Sequence, residues 1–103
     1  MQRIHQIASK DPETEFDGRL SIAEYLSATG KRDEAIQLLA SLPSEARNAG
    51  MNFISLKARL ELVRLKIGQH PRAELMTELS SIEAEARRAG FGLLVEQVKS
   101  LPI

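Results

Sequence analysis

A hexapeptide occurs twice in this chain. Glu45-Ala46-Arg47-Asn48-Ala49-Gly50 returns as Glu85-Ala86-Arg87-Arg88-Ala89-Gly90, with one substitution, 40 positions further on. A chain of 103 residues that repeats itself over that span holds two copies of one supersecondary unit. Each copy must then bury its apolar face against the other.

The punctuation between the copies is that of helices. Asp11-Pro12 fits an N-cap followed by proline at the first helical position. Phe16, Leu20, Ala23 and Leu26 follow on one helical face, widened by Ile22 and Tyr25, until Gly30. A second helix is expected from about Asp33, with Ala35, Ile36, Leu38, Leu39 and Leu42 as its apolar set. Pro43 either kinks that helix or separates it from a further turn over 44–48. A third helix covers 52–67, with Phe53, Leu56, Leu60, Val63 and Ile67 on one stripe, and ends at Gly68. After His70-Pro71, a fourth carries Ala73, Met76, Leu79, Ile82 and Ala86 to Gly90. A last helix is expected over 92–100, stopped by Pro102, and a short opening one around Ile4, Ile7 and Ala8. No stretch alternates with period two for long enough to form a strand. Loops of a few residues between such helices make antiparallel neighbours.

Aligning Gly30 with Gly68 and Ala35 with Ala73 gives an offset of 38, two less than the offset of the hexapeptides. The second unit is therefore expected to hold two extra residues, near the position of Pro43. The units run over about 13–50 and 52–90, followed by the terminal helix, within a single domain 1–103. Ala35 and Ala73 are expected where two helices cross closely. Within the hexapeptides the glutamates are expected to face solvent, the first alanines to face inward, and each glycine to close its helix with φ > 0.

The stretch LSIAEYLSATGKRDEAIQLLASL, 20–42, resembles a tetratricopeptide repeat. Ala23, Leu26 and Ala35 stand at that family's small, large and small positions around the turn glycine. The second unit departs from the pattern, with Glu61 and Arg64 where apolar residues are expected. AEARRAGFGLLVEQV is similar to the degenerate helical repeats at the tails of larger bacterial signalling proteins, among them kinases, cyclases and ATPase-type transcription regulators. The resemblance implies an all-α fold of five to six helices, antiparallel hairpins stacked as a short right-handed solenoid. It also implies a non-enzymatic module that binds protein segments. The alternative is a regulatory or oligomerising segment of a larger bacterial signalling or transcription-regulating protein, making contact through its apolar C-terminal helix.

Composition narrows the function classes. Formal charge is zero and cysteine is absent, which removes disulfides and thiol chemistry and leaves no bulk field to draw in nucleic acid. No apolar run reaches the length of a membrane span, and the polar N-terminus is not a secretory signal, so a cytoplasmic protein is expected. His5 and His70 have no carboxylate at ligand spacing. The serines lack a nucleophile-elbow context, and the glycines stand singly at helix ends rather than in a phosphate loop. No catalytic, cofactor or metal residue is assigned. Asp11, Glu13, Glu15 and Asp17 crowd a first helical turn, where the helix dipole favours them. Glu83 and Arg87 form a favourable i, i+4 pair. Gly18, inside a helix, allows close approach or marks a break.

Two features point to partners. The helix over 11–29 is acidic, whereas that over 52–67 is basic, with Lys57, Arg59, Arg64 and Lys66 against Glu61. These opposite charges either fix the stacking of the hairpins or make a groove that orients a charged peptide. Tyr25, Lys57, Glu61 and Arg64 are the partner-binding candidates. The tail is rich in apolar residues, and Phe91, Leu94 and Val98 are candidates for a self-interface that would give a homodimer; otherwise the tail caps the array.

Overall fold

A computed structural model describes residues 12–101. Six helices occupy them: α1 (Pro12–Ala28), α2 (Arg32–Leu39), α3 (Leu42–Asn48), α4 (Asn52–Lys66), α5 (Arg72–Ala89) and α6 (Gly92–Lys99). No strand occurs among the described residues, so the fold is all-α. The expected opening helix around Ile4, Ile7 and Ala8, the Asp11 cap, His5 and Pro102 lie outside the described residues.

Pro43 separates two helices. It stands in the first turn of α3, where its missing N–H costs nothing. Continuing α2 through it would remove a hydrogen bond and drive the ring into the carbonyl four residues back. Glu83 occupies the corresponding place in α5, which runs unbroken.

Each helix packs mainly on the next in sequence: α1 on α2, α3 on α4, α4 on α5, α5 on α6, with α4 also meeting α1 and α2. The interior divides into two apolar clusters. The first gathers Phe16, Leu20, Ala23, Ala35, Leu39, Leu42, Ala46, Ile54, Ala58 and Leu65. The second gathers Leu56, Leu60, Val63, Leu75, Leu79, Ile82, Ala86, Leu94, Val95 and Val98. Adding 40 to the first nine numbers of the first cluster yields, in order, nine members of the second. Helix α4 serves both clusters from opposite sides, so its polar face is narrow.

This register corrects the sequence alignment. α2 and α5 begin 20 residues after α1 and α4 respectively, so neither unit holds an insertion. The offset of 38 is local: α4 ends two residues early and its turn is two residues longer. Leu75, not Ala73, takes the place of Ala35; Ala73 is exposed. Met76 and Phe53, expected in the core, are exposed as well, as are Ile22 and Tyr25. Gly18 neither breaks α1 nor admits a neighbour: a Cβ there would meet nothing within 4 Å.

The hexapeptide ends a helix in the same way twice. Met51 N–H donates to Ala46 O at 2.8 Å and Gly50 N–H to Arg47 O at 2.9 Å. Phe91 N–H donates to Ala86 O at 2.8 Å and Gly90 N–H to Arg87 O at 3.2 Å. Gly50 and Gly90 have φ of 80° and 81°, the left-handed conformation that a Schellman closure needs. The buried alanine anchors each closure, and the apolar residue after the glycine, Met51 or Phe91, folds back onto the core.

Candidate functional site

The hexapeptide glutamates, expected to face solvent, form clamps. Arg19 on α1 donates to both oxygens of Glu45 on α3, at 2.7 and 3.1 Å, and Ser41 Oγ donates to the same carboxylate at 2.6 Å. Forty residues on, Arg59 Nη1 donates to Glu85 Oε2 at 2.7 Å and Ser81 Oγ to the same oxygen at 3.3 Å. Arg59 also holds Glu78, at 2.9 and 3.2 Å. An arginine on the first helix of each unit is thus tied to a glutamate on its last. Arg47 Nη2 reaches Glu85 Oε1 at 3.4 Å, which links the two units. Glu83 and Arg87 pair within α5 at 2.6 Å.

These contacts set the charges. The hydrogen bonds from Arg19 and then Ser41 bring the Glu45 carboxyl down to about 2. Arg59, chiefly through its hydrogen bond to Glu78, has its guanidinium raised above its ordinary value, and in turn holds Glu85 low. Ser41 thus shares the Glu45 carboxylate with Arg19 and completes the clamp. The open depression between α3, α4 and α5, lined by Pro43, Ser44, Arg47, Ser55, Arg59 and Glu78, is built from the same groups. Buried Ser55 donates to Pro43 O there at 2.9 Å, tying α4 to the start of α3. No buried side-chain nitrogen or oxygen among the described residues lacks a partner.

The charged face of α1 and α4 is organised differently. In the 40-residue register Asp17, Ser21 and Glu24 on α1 correspond to Lys57, Glu61 and Arg64 on α4. None of the clamps uses these side chains. Glu61 is buried, and burial raises its carboxyl above the usual range; Arg64 and Lys57 oppose that shift, and Glu24 adds to it. The structure therefore brings three of the four partner-binding candidates, Lys57, Glu61 and Arg64, into one cluster with Glu24. Arg64 Nη1 lies 3.3 Å from Glu61 Oε1 and is itself largely exposed. Tyr25 stands apart in register: it is 68% exposed, whereas its counterpart Leu65 is buried in the first cluster.

The self-interface candidates need correction. Leu94 is 1% exposed and Val98 is buried with it in the second cluster, because α6 turns its apolar stripe onto α5. Phe91 is half-buried and meets Phe53 edge to face, with centroids 5.2 Å apart. Leu93 is the exposed large apolar residue of the tail among the described residues. Glu96 and Ser100 are exposed in the register of core residues Leu56 and Leu60, so α6 presents a polar outer face. His70 is an exposed turn residue.

Sequence reasoning overlooked the two clamps and Ser55. Their signal was present: Arg19 and Arg59, like Ser41 and Ser81, stand 40 residues apart, as the hexapeptides do. No helix among the described residues is long and apolar enough to cross a membrane, and no group of three or more His, Cys, Asp or Glu is placed to hold a metal ion. Comparison of the chain with protein families, curated proteins and solved structures finds no match.

Proposed function

We propose that the chain is a non-enzymatic protein-interaction module: two tetratricopeptide-like hairpins stacked as a short right-handed solenoid, α6 closing the array. A peptide or helix binds across α1 and α4, over Asp17 and Glu24 on the first helix and Lys57, Glu61 and Arg64 on the second. A cytoplasmic setting belongs to the same reading. The observation that carries it is the Glu61 cluster. A carboxylate is kept buried on α4 with only an exposed arginine bridged to it, at the register where α1 has Ser21. The core gains nothing from that arrangement, since a buried charge costs more than an apolar residue of similar size. A ligand whose charges meet Arg64 and Glu24 gives it a use, and the acidic α1 beside the basic α4 gives the ligand an orientation.

The test is capture on an array of amphipathic peptides whose basic and acidic ends are presented in both orders. Preferential capture of one order, weakened at least about tenfold (about 1.4 kcal/mol) by Arg64→Glu at unchanged melting temperature, supports the groove. Equal capture of both orders, unaffected by Arg64→Glu, refutes it. A second reading, an oligomerising or regulatory segment of a larger bacterial signalling or transcription-regulating protein, is favoured by the exposed apolar residues Ile22 and Tyr25 on α1 and Met76 on α5.

A further inference from the structure

The hexapeptides differ at one position, and there the fold leaves a charge unmatched. Arg88 stands where the first copy has Asn48. It is exposed, and among the described residues no hydrogen bond or ion pair reaches it. Arg47 is little better served. Its counterpart Arg87 is held by Glu83, four residues back, at 2.6 and 3.0 Å. Four residues before Arg47 stands Pro43, which carries no charge. Arg47 is left with Glu85 Oε1 at 3.4 Å and stays 61% exposed. Glu85 does not depend on that contact, since Arg59 and Ser81 hold its other oxygen.

Arg47 and Arg88 border one depression of about 400 Å³, with Asn52, Ser55 and Glu85 also in its lining. α3, α4 and α5 all contribute to it, and its volume lies within the range of ligand clefts, roughly 300–1,000 Å³. It adjoins the depression that holds Arg59 and Glu78, and shares Arg47, Ser55 and Glu85 with it. Taken together the two are lined by three arginines and two glutamates. Both glutamates are bonded to Arg59, so the excess positive charge falls at Arg47 and Arg88. The chain as a whole is neutral, and two guanidiniums gathered at one recess repel each other. Asn52, Ser55 and Arg59 recur every three or four residues along α4, on a stripe apart from Lys57, Glu61 and Arg64.

We propose that Arg47 and Arg88 bind a phosphate monoester, gripping its oxygens from α3 and α5. The planar guanidinium fork matches a phosphate in geometry. A carboxylate brings two oxygens and one charge; a phosphate monoester brings three oxygens and nearly two charges, enough for both arginines and the Asn52 amide. Binding exchanges the long contact of Arg47 with Glu85 for a shorter one and leaves Glu85 on Arg59. The site is separate from the peptide groove and does not depend on it.

Titration of the full chain with inorganic phosphate at neutral pH, followed by nuclear magnetic resonance of the backbone amide and arginine side-chain signals, tests it. Saturable shifts are expected at Arg47, Asn52 and Arg88, beyond those that sodium chloride gives at equal ionic strength. Arg88→Asn, which rewrites the second hexapeptide as the first, and Arg47→Gln should each weaken binding about tenfold or more (about 1.4 kcal/mol), with the helical signal unchanged. Arg87→Gln removes the same charge from the neighbouring position and should leave binding as it was. The same titration with a phosphoserine peptide separates the sources of the ligand. Binding tighter than that of inorganic phosphate, with the same dependence on Arg88, identifies a phosphorylated protein segment; binding no tighter identifies a small phosphate ester. Absence of any saturable shift beyond that of chloride overturns the proposal. Equal weakening by Arg87→Gln and Arg88→Asn also overturns it, because the shifts then report the charge of the surface and not a site.

Discussion

Replacing Arg59 by methionine keeps most of the aliphatic stem and removes the guanidinium. Two carboxylates then lose their partner: Glu78, bonded at 2.9 and 3.2 Å, and Glu85, bonded at 2.7 Å. The Arg59 side chain is 14% exposed, but Glu78 and Glu85 keep 40% and 28% of their exposure. Water can therefore take over part of what the arginine supplied. Bonds to charged groups contribute about 1.5–3 kcal/mol when dry, and exposed ion pairs about 0.2–1 kcal/mol. Partial solvation places the loss at about 2 kcal/mol for the two carboxylates together. For a domain of this size that lowers the melting temperature on the order of 10 °C. Arg19→Met breaks the matching clamp, which holds Glu45 and, at 3.5 Å, the exposed Glu15, so its effect is smaller. Thermal denaturation followed by circular dichroism measures both. Adding Glu85→Gln to Arg59→Met should cost less than Glu85→Gln alone, with a coupling of about 1 kcal/mol. The pH dependence separates the clamps further. Glu45 titrates lower in the folded chain than its ordinary 4.5, down to about 2. Its contribution is present above 4.5 and lost as pH falls toward 2, and Arg19→Met should flatten that acid limb. A drop at Arg59 no larger than at Arg19, or a coupling indistinguishable from zero, would refute the account of the hexapeptides as clamps.

Three further outcomes follow from the same geometry. Glu61 is buried with its carboxyl raised, so its charged form opposes folding and acidification through the raised value relieves it; Glu61→Gln should raise the melting temperature at pH 7, with the gain shrinking in acid. Gly90→Ala meets no atom within 4 Å but must keep a φ of 81°, so denaturant titration should show a loss of about 1–2 kcal/mol from the backbone alone. Leu94→Ala should cost about 2–5 kcal/mol, whereas Leu93→Ala, at a site 67% exposed, should stay within about 0.5 kcal/mol.

The helices and their ends were legible in the residues because their causes are local. Apolar spacing marks a helix, proline starts one, and a glycine with positive φ ends one, as at Gly30, Gly50, Gly68 and Gly90. The charged residues of α4 were legible too, since Lys57, Glu61 and Arg64 share a helical face whatever lies behind it. The register between the units was not legible in the turn glycines. Gly30 and Gly68 mark where two helices stop, and a helix can stop two residues early without shifting the core behind it.

What only the tertiary structure decided is which apolar residue meets which neighbour. Leu65 and Tyr25 are equally plausible core residues on a helical wheel, yet one is buried and the other exposed, because Leu65 lies on the side of α4 that packs against the first cluster. Leu94 and Val98 on one side and Leu93 on the other divide between core and solvent according to where α5 lies, which no spacing within α6 specifies. The pairing of Arg59 with Glu78 and Glu85, and of Arg19 with Glu45, likewise depends on how the hairpins close. Local sequence determines the helices and their caps through dihedral preference and periodicity; burial and charge pairing arise only when those helices meet.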